Sequence, residues 1–295
     1  MTDEVKREGT EIGAMKNVLI FGEGSYIGEA VKKWLMKTAE GYAVSTMSSR
    51  NVSVANTDFS PYQVVYYVAG VAHQKETKEN EHLYYEVNRN LACAVAKKAK
   101  QDGVKQFVLM STLSVYGMNE GVIRKDTEEH PTTHYGKSKL QADRHIQKLA
   151  DEQFHVAIIR PPMVYGAGCK GNYQRLRSLA LKTPIFPAVK NRRSMIFIDN
   201  LCDYIEWVIR EDITEIRIPQ NQDFVCTSEM VRLIARQHGK KMFFVKVPQL
   251  LIQAAPISTV QKVFGSLICD CPQDKENAVP DFSVTIRLSE RGNRG

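Results

Sequence analysis

Tyr135 and Lys139 stand four residues apart in the run Thr133-His134-Tyr135-Gly136-Lys137-Ser138-Lys139. In a helix that spacing puts both side chains on one face. A phenol loses its proton only near pH ~10, and an ammonium one turn away favours the phenolate and lowers that value. The pair is a candidate acid/base for moving a proton on a sugar or steroid hydroxyl. Tyr-x-x-x-Lys is also common as a surface tyrosine beside a solvated lysine. The assignment therefore needs other segments that a redox site requires.

Two such segments are present. Asn17-Val18-Leu19-Ile20-Phe21 reads as a short buried strand, Gly22-Glu23-Gly24-Ser25-Tyr26-Ile27-Gly28 follows, and Ala30, Val31, Trp34 and Leu35 have helical spacing. Strand, glycine turn and helix are the setting of a dinucleotide-binding fingerprint. Gly22 allows the tight turn, Gly24 lets the backbone approach a pyrophosphate, and Gly28 allows close packing of helix on strand. The free N–H groups at the helix start then face the phosphates. The spacing, G-x-G-x-x-x-G, is one residue longer than the G-x-G-x-x-G fingerprint. The second segment, Phe107 to Gly117, is an apolar strand that ends in Ser111, Thr112 and Ser114. Open parallel sheets bind ligands at that carboxyl edge, where hydroxyls can hold a substrate oxygen against Tyr135.

The elements that position these residues follow a β-α alternation, which predicts an α/β fold with a parallel sheet. Strands are expected near 17–21, 42–47, 64–68, 106–110 and 155–159, and helices near 27–38, 80–102 and 135–152. After Arg160 a glycine-rich stretch runs to Gly171 and a helix starts at Asn172, before Pro184 and Pro187 break the chain. Ser228 reads as the N-cap of a helix running to His238, and another apolar helix follows Pro248. The expected organisation is a mobile extension over 1–15, a Rossmann-type doubly wound domain over 16–165, and a smaller substrate-binding lobe over 166–290. Segments of that lobe are expected to return to the first domain. The tail from Arg291 to Gly295 is expected not to fold.

A chain of 295 residues with 43% hydrophobic content can bury a large core. No apolar stretch approaches ~20 residues, and the charged start lacks the apolar segment of a signal peptide. A cytoplasmic location with no membrane partner is the expectation. The six cysteines and seven histidines lack metal-ligand spacing, so no metal is expected and the thiols read as reduced and structural. The net charge of +7 comes from Lys and Arg interspersed with Asp and Glu, without an RNA-module motif, so no nucleic-acid partner is expected. Asn191-Arg192-Arg193 is the basic cluster suited to phosphate oxygens.

Together the three chemical segments resemble the extended short-chain dehydrogenase/reductase family, specifically its nucleotide-sugar epimerases and dehydratases. The resemblance covers Lys16 to Glu290. The turn Gly22 to Gly28 looks like the family's glycine loop with Ser25 in place of the middle glycine. Val68-Ala69-Gly70-Val71-Ala72 is similar to its strand-four cofactor segment, and Asn88 to the asparagine of the next helix. The resemblance implies that Thr112, Tyr135 and Lys139 are catalytic. It implies that Gly22, Gly24, Ser25, Tyr26, Ile27, Gly28, Val68, Ala69, Gly70 and Asn88 bind the dinucleotide, with Tyr135 and Lys139. Arg160 to Gly166 and Arg193 to Asn200 resemble two further signatures, from the sugar-nucleotide half. Ser111, Thr112, Met163, Asn172 and Arg193 are its implied substrate residues, with Arg193 on the diphosphate. The implied partner is a nucleotide-diphosphate sugar, of which UDP-sugars are the usual kind, and the implied assembly is a homodimer.

Departures from the family pattern narrow the chemistry. The strand Tyr42 to Met47 is followed by Ser48-Ser49-Arg50, where NAD-dependent members carry an acid for the adenosine ribose. Ser48 and Arg50 suit a 2′-phosphate instead, so NAD and NADP both stay open, with family membership favouring NAD. Leu113 and Ser114 stand where dehydratases carry an Asp-Glu pair, which argues against dehydration. The resulting expectation is a redox step at C4 of the sugar. Tyr135 takes the hydroxyl proton, Lys139 lowers the phenol pKa and binds the nicotinamide ribose, and Thr112, or Ser111 in its place, holds the C4 oxygen. That chemistry suits a 4-epimerase that regenerates its cofactor, or an NADPH-dependent 4-keto-sugar reductase. A non-catalytic dinucleotide-binding regulator is the remaining alternative, disfavoured because such proteins often lose the tyrosine or lysine.

Overall fold

Val18 and Ile20 face one side of a sheet and Leu19 and Phe21 the other, and all four are fully buried. A strand covered on both faces must be apolar throughout rather than alternating, which is why this run carries no polar residue. The computed structural model describes residues 15–38, 41–72, 74–246, 264–272 and 275–292. In chain order the strands are β1 (Lys16–Phe21), β2 (Tyr42–Met47), β3 (Val64–Tyr67), β4 (Gln106–Met110), β5 (Gly121–Ile123), β6 (His155–Ile159), β7 (Met163–Tyr165), β8 (Ile185–Pro187), β9 (Met195–Phe197), β10 (Glu215–Arg217), β11 (Phe243–Val245) and β12 (Leu267–Cys269). The helices are α1 (Tyr26–Thr38), α2 (Glu81–Leu83), α3 (Ala92–Gln101), α4 (His134–Gln147), α5 (Asn172–Lys182), α6 (Ile198–Arg210), α7 (Thr227–Gln237) and α8 (Phe282–Arg291).

Six strands form one parallel sheet in the order β10-β6-β4-β3-β1-β2. One face is covered by α1 and α6 and the other by α3 and α4, each over its own core cluster. This is the doubly wound architecture expected from the sequence. The chain moves outward from β1 to β2 and then returns to place β3 on the other side of β1. The strand direction of travel therefore reverses between β1 and β3, the point where such sheets bind ligands. The common doubly wound order carries a further strand outside β2. Here the intervening segment makes only a 3₁₀ turn at Val54–Asn56, so β2 is the edge and is only half-buried.

Segments beyond the carboxyl ends of β4 and β6 build three small parallel pairs, β5 with β12, β7 with β9, and β8 with β11. From the same half of the chain, β10 joins β6 in the main sheet and α6 packs over its face. A buried carboxylate ties three helices of this half together. Glu290 on α8 is 1% exposed; its Oε1 accepts from the Tyr173 hydroxyl at 2.6 Å, and its Oε2 accepts from Arg177 Nε at 2.8 Å and lies 2.6 Å from His238 Nε2.

The five strands and the first three helices lie where the sequence places them, with differences at particular points. The helix expected over 80–102 contains a π-helical stretch at Tyr84–Leu91, and the helix expected to run to 152 ends at Gln147. Ser228 is not an N-cap. Cys226 takes that position in α7, while the Ser228 hydroxyl accepts from Val189 N at 2.9 Å and donates to the Pro187 carbonyl at 3.0 Å. Tertiary bonds there outcompete the local preference. Arg291, expected in an unfolded tail, is the last residue of α8. The segment between Pro184 and Pro187 forms β8. The extension before residue 15 and the helix expected after Pro248 lie outside the described residues.

The Glu290 cluster gives a pH dependence with a definite sign. Burial raises this carboxyl, but hydrogen bonds from Tyr173, His238 and Arg177 outweigh it and hold Glu290 below the ordinary glutamate value. A group depressed in the folded state stabilises above its unfolded pKa, near ~4.3, and that contribution is lost as pH falls through the folded value. Glu290→Gln should lower stability at pH 7 by roughly 1–3 kcal/mol. It should also flatten the fall of Tm with acidification below about pH 4. Parallel acid-melting curves of parent and variant would show this cluster to be idle.

Candidate functional site

The glycine turn begins where β1 ends. Gly22 has φ +134°, and a Cβ added to it would lie 2.6 Å from Ala69 N, so only glycine lets the turn pass the backbone that leaves β3. Val68 N and Ala69 N both donate to the Phe21 carbonyl at 3.0 Å, which fixes the two segments against one another. Gly24, at φ +74°, is different: a Cβ there would meet nothing within 4 Å. Its open side leaves room in which a ligand such as a pyrophosphate could approach the backbone. Ser25 caps α1, its hydroxyl accepting from Gly28 N at 3.2 Å, and a Cβ on Gly28 would meet that oxygen at 2.5 Å. Glu29 accepts from Gly24 N at 3.1 Å. Ile27 packs into the core. The Tyr26 hydroxyl is buried without a hydrogen-bond partner among the described residues, 2.7 Å from a Cβ built on Gly166, so this side chain points inward and only its backbone serves the turn.

The end of β2 borders the same turn, because Gly22 N and Glu23 N donate to the Met47 carbonyl. Beyond it the Ser48 hydroxyl accepts from Arg50 N at 3.2 Å, and Arg50 is exposed.

Helix α4 starts under strong local direction. Thr133 is its N-cap, accepting from Gly136 N at 3.1 Å, and the Glu76 carboxylate accepts from His134 N at 2.9 Å and Tyr135 N at 3.0 Å. These bonds satisfy backbone donors that a helix start leaves free. A Cβ on Gly136 would lie 2.6 Å from the Ser114 carbonyl, so α4 packs hard against the 3₁₀ turn Leu113–Tyr116 that follows Thr112. This close approach sets Tyr135 beside Thr112, whose hydroxyl accepts from Ser114 N at 3.1 Å and donates to Ser114 Oγ at 3.2 Å.

On the other side of Lys139 lie Gly70 and Asn88. A Cβ on Gly70 would meet Asn88 Oδ1 at 3.1 Å and Lys139 Nζ at 3.4 Å. Asn88 is fully buried in the π-helical stretch, accepting from Val71 N at 2.8 Å and donating to the Val71 carbonyl at 3.1 Å and Ser138 Oγ at 3.2 Å. π-Helical turns are rare and concentrate at functional sites. The structure thus gathers Gly22, Gly24, Val68–Gly70, Asn88, Thr112, Tyr135 and Lys139 around one sheet edge.

Burial dominates the electrostatics of the pair. It raises the Tyr135 phenol above its ordinary value, against which the neighbouring Thr112 hydroxyl works. It also pulls the Lys139 ammonium down to about 8, with the Asp143 carboxylate acting in the opposite sense. Lys139 Nζ donates to the Met110 carbonyl at 2.8 Å. The spacing of Tyr135 and Lys139 predicts that the ammonium favours the phenolate. In the structure the neighbouring Thr112 hydroxyl favours the phenolate, and the Lys139 head group bonds the carbonyl at the end of β4.

Ser111, expected as an alternative to Thr112, is 3% exposed and donates to Asp143 Oδ2 at 2.8 Å, so it faces the interior. On the substrate side, Met163 lies on β7, paired with Met195 of β9, and packs partly into the core. Arg193 precedes β9 and bridges to Val225 and Leu267, with Nη1 donating to the Gly265 carbonyl at 2.7 Å. Asn172 opens α5. Sequence reasoning missed Glu76, which carries no motif, and Asp143, which continues the four-residue spacing of Tyr135 and Lys139.

The two glycines predict separable effects. Gly24→Ala should lower stability by only about 1–2 kcal/mol, the strain of a left-handed alanine. Dinucleotide affinity should fall by about tenfold or more, ~1.4 kcal/mol, because the methyl group occupies that open side. NAD and NADP titration calorimetry beside thermal melts separates the effects, and unchanged affinity for both would remove this turn from the site.

Residues 18–218 match the model of the NAD dependent epimerase/dehydratase family. UDP-glucose 4-epimerase of Vibrio cholerae is 32% identical in a match covering 79% of this chain and 79% of that protein. Among solved structures, UDP-glucuronic acid 4-epimerase from Bacillus cereus in complex with NAD is similar with a TM-score of 0.74 at 17% identity, covering 94% of this chain and 96% of that one. The dTDP-4-dehydrorhamnose reductase from Bacillus anthracis in complex with NADP gives a TM-score of 0.71 at 16% identity, with coverage of 94% and 99%. At such identities the two structures show a common fold. The family match spans well over half of the sequence and includes the glycine turn, Thr112, Tyr135 and Lys139. The chain belongs to the NAD dependent epimerase/dehydratase family.

Proposed function

We propose that the protein is a nucleotide-sugar 4-epimerase acting on a UDP-sugar. The observation that carries this reading is the meeting of Tyr135, Thr112 and Lys139 beside the glycine turn, at the sheet edge where β1 and β3 diverge. The similarity to a UDP-glucose 4-epimerase over most of both chains supports it.

In this reading Thr112 holds the C4 oxygen and Tyr135 takes the C4 hydroxyl proton, later returning it. Lys139 binds the nicotinamide ribose beside Gly70 and Asn88. A bound nicotinamide dinucleotide supplies the hydride acceptor and donor at C4. Arg193 neutralises the substrate diphosphate, with Met163 and Asn172 bordering the sugar. The proposal extends to a homodimer, which rests on the family resemblance, and to a cytoplasmic location, which rests on the composition of the chain. Among the described residues no helix is long and apolar enough to cross a membrane.

A second reading, an NADPH-dependent 4-keto-sugar reductase, is favoured by one observation. The end of β2 offers Ser48 and an exposed Arg50 where a ribose-binding acid would stand. A guanidinium suits a 2′-phosphate.

Two measurements test these readings. The parent protein should interconvert UDP-glucose and UDP-galactose, or their close relatives, with no net consumption of dinucleotide. Tyr135→Phe should reduce that turnover by ~100-fold or more with the fold retained, and parental turnover in this variant excludes Tyr135 from proton transfer. Arg50→Ala decides the cofactor: under the reductase reading NADP affinity drops by tenfold or more, ~1.4 kcal/mol, while NAD affinity holds. Equal NADP dissociation constants in variant and parent leave Arg50 a solvent-facing residue.

A further inference from the structure

Tyr135, Lys139 and Asp143 follow one another at intervals of four along α4, so a carboxylate lies on the same helix face one turn beyond Lys139. Asp143 is fully buried. Its Oδ2 accepts from Ser111 Oγ at 2.8 Å and from Arg160 Nε at 3.0 Å, and its Oδ1 is buried with no hydrogen-bond partner among the described residues. Arg160, itself 2% exposed, continues to the Tyr116 hydroxyl at 3.0 Å and to Glu129 Oε1 at 2.6 Å. One carboxylate thereby joins the helix of Tyr135 and Lys139 to the strand end that carries Thr112.

We propose that Asp143 is a positioning residue whose carboxylate holds Lys139 as an ammonium and so sets the upper pH limit of dinucleotide binding. The inference rests on the reading of Lys139 as a ligand of the nicotinamide ribose.

Stability gives little reason for this charge. Buried ion pairs are weak sources of stability, and apolar replacements of similar volume are often neutral or better. A buried carboxylate oxygen left unpartnered is unfavourable in itself. Its field acts on neighbours that are equally desolvated, where charges interact more strongly than in water. Around Lys139 the charged and titratable groups are few. Tyr135 and Asp143 come from α4, Tyr84 from the π-helical stretch lies edge-on to the Tyr135 ring, and Glu76 holds the amides at the start of α4. Arg160 reaches the cluster from the end of β6 and Glu129 lies beyond it. Met110, Gly70 and Asn88, which also lie near Lys139, carry no charge. Of all these groups, Asp143 is the one whose charge favours the ammonium of Lys139 against burial.

The sign follows directly. Burial lowers Lys139 to about 8, and removing the carboxylate lowers it further. An ammonium that contacts the ribose is then lost at a lower pH, and dinucleotide affinity falls with it. Asp143 also raises Tyr135, so a turnover profile would mix the two groups. A binding profile isolates Lys139.

NADH binding would be measured from about pH 6 to pH 10 in the parent, Asp143→Asn, Asp143→Glu and Lys139→Arg, with thermal melts of each. The parent should lose affinity with a midpoint near 8. Asp143→Asn should move that midpoint down by about one unit or more. Asp143→Glu should restore it, and Lys139→Arg should abolish the transition, since a guanidinium does not titrate in this range. A parental midpoint in Asp143→Asn, with only a lowered Tm, overturns the proposal and makes the carboxylate a packing element. A parent with no alkaline transition, or one that persists in Lys139→Arg, overturns the reading of Lys139 as a ribose ligand and the inference with it. Should Asp143→Asn fail to fold, the double variant Asp143→Asn, Arg160→Met removes the stranded guanidinium as well. It should show the same downward shift, and a parental midpoint there would again overturn the proposal.

Discussion

Where the sheet reverses, two backbones come too close for a side chain to stand between them. Gly22 and Ala69 meet there, and a single methyl group on Gly22 would fall 2.6 Å from a backbone nitrogen. Much of the site depends on that approach. It seats the glycine turn and the start of α1 against the end of β3, so that residues 68 to 71 run on toward Asn88. Asn88 in turn takes both backbone groups of Val71 and donates to Ser138 on α4. The glycine turn, the segment after β3 and the helix of Tyr135 are therefore linked by a close backbone approach and by the side chain of Asn88. A rigid frame of this kind keeps a reacting group within the small tolerances that proton and hydride transfer demand.

The main sheet was legible because each central strand is a short apolar run buried on both faces, bounded by turn residues. Val64-Val65-Tyr66-Tyr67 and Phe107-Val108-Leu109-Met110 leave little room for another reading, and both are strands. The glycine turn and the Tyr135–Lys139 pair were legible for a related reason, since each is a local spacing with local consequences. Tertiary competition hid the rest. The π-helical register of Tyr84–Leu91 accompanies the insertion of Asn88 between the polar groups of a loop seventeen residues away in sequence. Ser228 has the right type for an N-cap, yet Pro187 and Val189 claim its hydroxyl. Glu76 caps α4 from 58 residues upstream, a relation that no periodicity records. The substrate side rested on resemblance alone, because Met163, Asn172 and Arg193 come from separate segments that share no pattern.

Burial places the same demand on Tyr135, Lys139 and Asp143, the ionisable groups spaced four apart along α4. It raises Tyr135 and Asp143, lowers Lys139, and in each case opposes the charged form. Hydrogen bonds to the charged forms work against it at two of the three, the Met110 carbonyl to the ammonium and Ser111 with Arg160 to the carboxylate, and the neighbouring Thr112 hydroxyl favours the phenolate. Such a network is costly when partly satisfied and strong when complete, since low local dielectric strengthens every member. The arrangement explains why two adjacent hydroxyls at the end of β4 have different tasks. Ser111 points inward and stabilises a buried carboxylate, while the half-buried Thr112 bonds Ser114 in the turn against which the start of α4 packs. A strand sends successive side chains to opposite faces, and here that alternation divides the hydroxyl pair between the buried carboxylate and the turn beneath α4.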